Sequence, residues 1–118
     1  MCIFDRNAFK PKLDYMSGDT ELARRELDEA ILTILRNEAF PRGPVERAVL
    51  LETVDMVAPD RVYSLYKEIV SEPVSLISME VICANPWTYP NLLKDPRFVE
   101  EVRKDGRFVG FLEKYGWL

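Results

Sequence analysis

No histidine occurs among the 118 residues, and that absence removes the commonest general base, the commonest metal ligand and every Ser-His or Cys-His nucleophile pair. Cysteine is scarce. Cys2 and Cys83 are too few and too far apart for a disulfide framework or a thiolate metal site, and Cys83 reads as a buried core thiol. The five glycines, at 18, 43, 106, 110 and 116, are scattered at turns and helix ends rather than gathered into a phosphate-cradling loop, which argues against nucleotide binding. No apolar run approaches the ~18 residues of a membrane span. The N-terminus has neither the basic start nor the apolar stretch of a signal peptide, so a cytoplasmic location is expected. No cofactor is called for by any of these features.

What is present belongs to an ordinary folded domain. An apolar fraction of 47% with 31% charged residues is too hydrophobic for a disordered chain, and 118 residues suit a single domain, 1–118, with a core that needs no metal or disulfide. The net charge of −4 offers no general attraction for nucleic acid or an anionic membrane. Residues 19–93 hold seven basic and thirteen acidic groups, and the flanks are each about +1. The acidic middle is read first as a solvated helical surface and second as a face for a basic partner.

Hydrophobic spacing predicts helices. From about Thr20 to Asn37, Ala23, Leu27, Ala30, Ile31, Ile34 and Leu35 recur at intervals of three and four, with Ser17 or Asp19 as cap. After the break Phe40-Pro41-Arg42-Gly43-Pro44, Pro44 opens a second helix to about Val57 whose apolar residues cover most of the circumference, as a central helix requires. A third runs from about Asp60 to Val70 on Val62, Leu65, Tyr66 and Ile69. Residues 74–84 are ambiguous between strand and helix. Helix is preferred, because a lone strand would leave its backbone donors and acceptors unpaired. Residues 1–18 show no sustained period and are expected to form an irregular arm packed back on the domain. The fold class is therefore all-α, either a small helical bundle or a short α-solenoid of antiparallel hairpins.

The C-terminal stretch carries the one internal repeat: Asp95-Pro96-Arg97-Phe98-Val99 recurs as Asp105-Gly106-Arg107-Phe108-Val109. Each Asp suits an N-cap and Pro96 the first helical position, so two short helices are expected over 95–118. Phe98 and Phe108 should turn inward. Phe108, Phe111, Leu112 and Tyr115 form an apolar stripe, and Gly116 fits a left-handed cap.

Leu92-Leu93-Lys94-Asp95-Pro96-Arg97-Phe98 resembles the segment that closes many tetratricopeptide-repeat proteins. Together with Asn85-Pro86-Trp87, it is also similar to the DP modules of Sti1-type co-chaperones, small helical hands that bind segments of other proteins. The resemblance covers about a third of the chain and implies a protein-binding role. Residues 20–84 lack the tetratricopeptide consensus tryptophan, Leu-Gly and tyrosine positions.

Large aromatics and arginines dominate interface hot spots, which makes Trp87, Tyr89, Arg97, Arg107 and Trp117 the candidate partner-binding residues. Of the aromatics, Trp117 is the one expected to be partly exposed, at a docked terminus or against another chain. The leading function is a non-catalytic adaptor, scaffold or co-chaperone-like module that binds another protein or a second copy of itself. One alternative is a nucleic-acid-associated domain using the basic and aromatic tail, in which Lys94, Arg97, Arg103, Lys104, Arg107 and Lys114 are nearly cancelled by five acids. Another is a divalent-metal enzyme built on Glu26, Asp28 and Glu29 or on Glu100 and Glu101.

Overall fold

A computed structural model describes residues 6–36, 43–73 and 75–118, apart from the side chains of 6–9. These residues are all helical in architecture, with no strand among them. Seven helices follow in order: α1 (Arg6–Met16), α2 (Thr20–Leu35), α3 (Pro44–Val57), α4 (Val62–Val70), α5 (Met79–Ala84), α6 (Pro96–Asp105) and α7 (Val109–Lys114). Single 3-10 turns at Pro59–Arg61 and Leu92–Lys94 precede α4 and α6. The first three helices pack against one another pairwise and α4 joins them through α3, giving a body of 40 × 35 × 23 Å.

The expected stripe of α2 is the one that is buried: Ala23, Leu27, Ala30 and Ile34 face the core, and Asp19 caps the helix by accepting a hydrogen bond from the Leu22 amide at 3.2 Å. Helix α3 begins at Pro44 and ends at Val57 as its sequence predicts. It is the central element, burying Leu50, Leu51, Val54 and Val57. The α4 residues Val62, Leu65, Tyr66 and Ile69 complete this layer. Cys83 is buried and its thiol is pushed up to about 11 by that burial. An inert packing role follows, because the thiolate is the reactive form.

Two expectations are corrected here. The irregular arm expected over 1–18 is, from Arg6 onward, helix α1. It shows no apolar stripe because a buried Pro11 sits inside it while Leu13 and Met16 face solvent. Docking on α2 and α3 holds it, with Lys10 paired to Glu26 and Lys12 to Glu52. Tertiary packing here outweighs the helix-breaking tendency of an internal proline. Residues 74–84 are helical only from Met79. The preceding chain closes a local turn in which the Ser75 hydroxyl accepts from the Ile77 amide at 3.0 Å. Ser78 then caps α5 through the Val81 amide at 3.2 Å, so serine chemistry rather than Pro73 sets the start. Cys2, the first residues of the expected arm, Asn37, the Phe40-Pro41-Arg42 break and Val74 lie outside the described residues.

The C-terminal repeat folds as a repeated local fork rather than as two repeated helix starts. In the first copy the Asp95 carboxylate accepts from the Arg97 amide at 2.9 Å, from Nε at 3.0 Å and from Nη2 at 2.8 Å. In the second the Asp105 carboxylate takes the same three donors of Arg107, at 3.2, 2.7 and 2.9 Å. Asp95 with Pro96 starts α6. Asp105, however, is the last residue of α6, and α7 begins only at Val109. The difference is one residue: Pro96 is preset for helix, whereas Gly106 takes a left-handed φ of 80° that ends one. Asp95→Ala is therefore expected to cost about 0.5 to 2 kcal/mol and Asp105→Ala clearly less, read as urea midpoints. Equal losses would contradict this assignment.

Candidate functional site

The segment between α5 and α6 is positioned by a buried carboxylate. Asp55 of α3, almost inaccessible to solvent, accepts hydrogen bonds from the Leu92 amide at 2.7 Å and the Asn91 amide at 3.2 Å. The Asn91 side-chain amide donates to the Asp55 backbone carbonyl at 2.8 Å. Asp55 thus caps the Leu92–Lys94 turn from a different helix. Burial pushes its pKa upward against the pull of those donors.

Ahead of this clamp the chain is anchored twice, by buried Pro86 and buried Tyr89, and Trp87 projects between them with 67% of its surface exposed. On the facing side, Phe111 of α7 and Tyr115 just past its end, an i, i+4 pair, point outward while Leu112 between them is buried. Their ring centroids lie 5.1 Å apart. Gly116, at φ 79°, turns the chain so that the Trp117 amide donates to the Leu112 carbonyl at 2.8 Å. This left-handed cap lays Trp117 partly against the core. Pro86, Trp87, Phe111, Tyr115 and Trp117 together line a cleft of about 450 Å³. Four aromatic rings and a proline meet there without a charged group in the lining.

Of the five candidate residues, the structure brings Trp87 and Trp117 together. Trp117 is partly exposed, as expected, and Trp87 is more exposed still. Tyr89 is corrected to a core residue, buried with its hydroxyl 3.5 Å from the Ala48 carbonyl. Its phenol is raised well above the usual range by burial. Arg97 and Arg107 are exposed but belong to the two forks. Arg97 also lies 4.4 Å above the Tyr63 ring, and Arg107 bonds Glu80 at 2.8 Å and sits 5.0 Å from the Phe108 ring centroid. Phe111, Tyr115 and Pro86 were not singled out as partner-binding residues. The signal was available in the i, i+4 spacing of Phe111 and Tyr115, which puts both rings on one side of the turn, beside rather than under Leu112.

The remaining charged constellations are dispersed. Glu26 pairs with Lys10, Asp28 with Arg61, Glu100 with Lys104 and Glu101 with Lys67. No group of three His, Cys, Asp or Glu side chains that could hold a metal ion occurs among the described residues. In the tail, Arg103 faces Glu113 at 3.5 Å, which with the forks and the Lys104–Glu100 pair neutralises four of its six cations.

The carboxylates set the response to acid. Arg97 holds Asp95, and Arg107 holds Asp105, below the usual range, and Glu80 is lowered by its own backbone amide and then by Arg107. A folded-state pKa below the unfolded value, near 4, contributes stability that is present above that value and lost as pH falls through the folded one. Asp55 acts with the opposite sign. Stability is thus expected to decline below about pH 4, and more shallowly in high salt because these pairs are exposed. A urea midpoint that is flat from neutral to strongly acidic pH would contradict this.

Comparison with protein-family models, with curated proteins and with solved structures finds no match. Among the described residues no helix is long and apolar enough to cross a membrane.

Proposed function

We propose that this chain is a non-catalytic, cytoplasmic protein-interaction module, adaptor-like or co-chaperone-like, that receives an apolar segment of another polypeptide on the cleft between Trp87 and α7. The observation that carries the reading is the exposure of Trp87, Phe111 and Tyr115 around one concavity at 67, 45 and 60%. Exposed aromatics gathered in a depression of this size are the usual form of an interface anchor site. A charge-free lining flanked by proline suits an apolar or proline-containing segment, since extended proline-rich peptides dock between aromatic side chains.

The nucleic-acid reading has less support. The fork arginines already have carboxylate partners, so a phosphate would have to displace them. The metal-enzyme reading also has less support, since Glu26, Asp28, Glu100 and Glu101 are each engaged by a different cation.

Affinity capture from native extract followed by calorimetry with the recovered partner tests the proposal. Trp87→Ala is expected to weaken binding by 2 kcal/mol or more, on the order of a hot spot, with little change in thermal stability because the ring is largely in solvent. If Trp87→Ala and Phe111→Ala both leave a captured partner's affinity unchanged, the cleft is not the docking surface.

A further inference from the structure

Trp87 is a wall of two cavities. On its other side, facing α1 and α3, lies a separate space of about 320 Å³, and its chemistry differs from that of the cleft. Tyr15 and Trp87 contribute aromatic rings and Met56 and Pro90 apolar surface, while Glu52 and Asp55, one turn apart on α3, contribute carboxylates. Lys12 is the one cation in the lining, and its ammonium already sits 2.7 Å from Glu52 Oε1.

We propose that this cavity binds an organic cation, an alkylammonium or quaternary ammonium group. The assignment does not depend on the partner reading of the cleft. Among the described lining residues the accessible carboxylate is Glu52, with buried Asp55 behind it, and a single ammonium stands against the two, which disfavours an anion. The rings of Trp87 and Tyr15 in the lining supply the aromatic quadrupoles that attract a weakly hydrated cation. A hard metal ion fits poorly, because such ions take six or more oxygen ligands, whereas the carboxylates here are already engaged, Glu52 by Lys12 and Asp55 by the Asn91 and Leu92 backbone amides, and Thr88 and Asn91 are the remaining polar residues of the wall. Lys12 shows in the fold itself that the Glu52 side of the cavity accepts an ammonium. Its pair with Glu52 is partly open to solvent, so an incoming cation can take its place. The volume is at the lower end of the range for small-ligand sites, which suits a compact head group.

The test is calorimetric titration of the full chain with choline and with its uncharged carbon isostere, 3,3-dimethylbutan-1-ol. Saturable binding of choline and none of the isostere is expected. Lys12→Met, which removes the internal competitor, should tighten choline binding and Glu52→Gln should weaken it, each by about fivefold, the scale of a partly exposed ion pair. Trp87→Leu should weaken it about tenfold. A residue needed only for folding would not shift affinity in opposite directions at the two ends of one ion pair. Should a variant fail to fold, nuclear Overhauser contacts from the choline methyls to the Trp87 and Tyr15 rings of the unaltered protein carry the same information. A peptide bearing trimethyllysine is titrated alongside: tighter binding of the peptide assigns the cation to a polypeptide side chain, tighter binding of choline to a free small molecule, and both sustain the site. Absence of choline binding, equal binding of the isostere, or same-sign shifts in Lys12→Met and Glu52→Gln would overturn it. None of these outcomes bears on Phe111, so loss of partner binding in Phe111→Ala still reports on the cleft alone.

Discussion

Replacing Phe98 by Ala is expected to destabilise the fold by about 3 to 5 kcal/mol, a large share of the ~5 to 15 kcal/mol by which domains are stable. Phe98 is completely buried. Its ring meets Tyr66 edge-on at 5.2 Å and 85°, the arrangement in which the positive edge of one ring faces the negative face of the other. Truncation removes that contact and leaves a cavity between α4 and α6 that backbone helices cannot collapse to fill. Phe108, its counterpart in the repeat, is only half-buried, so Phe108→Ala should cost distinctly less. Urea unfolding of the two variants side by side decides the matter, and a Phe98→Ala loss no larger than that of Phe108→Ala would refute the packing argument.

The second large effect belongs to Asp55. Its replacement by Ala strands the Leu92 and Asn91 amides, the first of them fully buried, and the expected cost is about 2 to 5 kcal/mol. Asp55→Asn keeps one acceptor oxygen but turns an NH2 toward the other donor, so it should fall between wild type and Ala. The pH dependence has a definite sign. Burial raises this carboxyl above its unfolded value. Its contribution is therefore fully present below about pH 4 and lost as pH rises through the folded value. Asp55→Asn should remove this component and leave the acid-labile pairs of Asp95, Asp105 and Glu80 as the visible dependence. If Asp55→Ala unfolds at the same urea concentration as wild type, the carboxylate does not clamp the loop.

What could be read in advance depended on whether the cause was local. The starts of α2, α3 and α6 follow from Asp19, Pro44 and Asp95-Pro96, whose capping or preset φ acts within a few residues, and the buried stripe of α2 follows from spacing alone. Helix α1 was illegible because its stability comes from the surfaces of α2 and α3, to which its own spacing gives no clue. The Asp105 cap was misread because the two repeats share an Asp, an Arg and a Phe but differ at Pro96 and Gly106, and backbone preference at that one position decides whether a helix begins or ends. Half of the cleft was visible as Trp87 and Trp117. Tyr89 was assigned wrongly because an aromatic residue type does not say which way the ring points. Asp55 was overlooked although a trace existed. It is a carboxylate one turn after buried Leu51, between Val54 and Met56 and among the buried positions of α3, a placement that calls for specific donors from elsewhere in the chain.

The cleft also decides what light can report about this molecule. The sequence contains two tryptophans, and both stand at the same concavity, one exposed and one half-buried. Indole emission is accordingly a local signal, sensitive to the 85–118 face and to the end of α1 that lines a cavity with Trp87, and blind to α2 and most of the core. Helical circular dichroism is weighted toward the longer helices at the other end of the chain. Denaturation curves from the two probes coincide only where the whole body unfolds as one unit, and any separation between them measures the independence of the aromatic face from the three-helix layer beneath it.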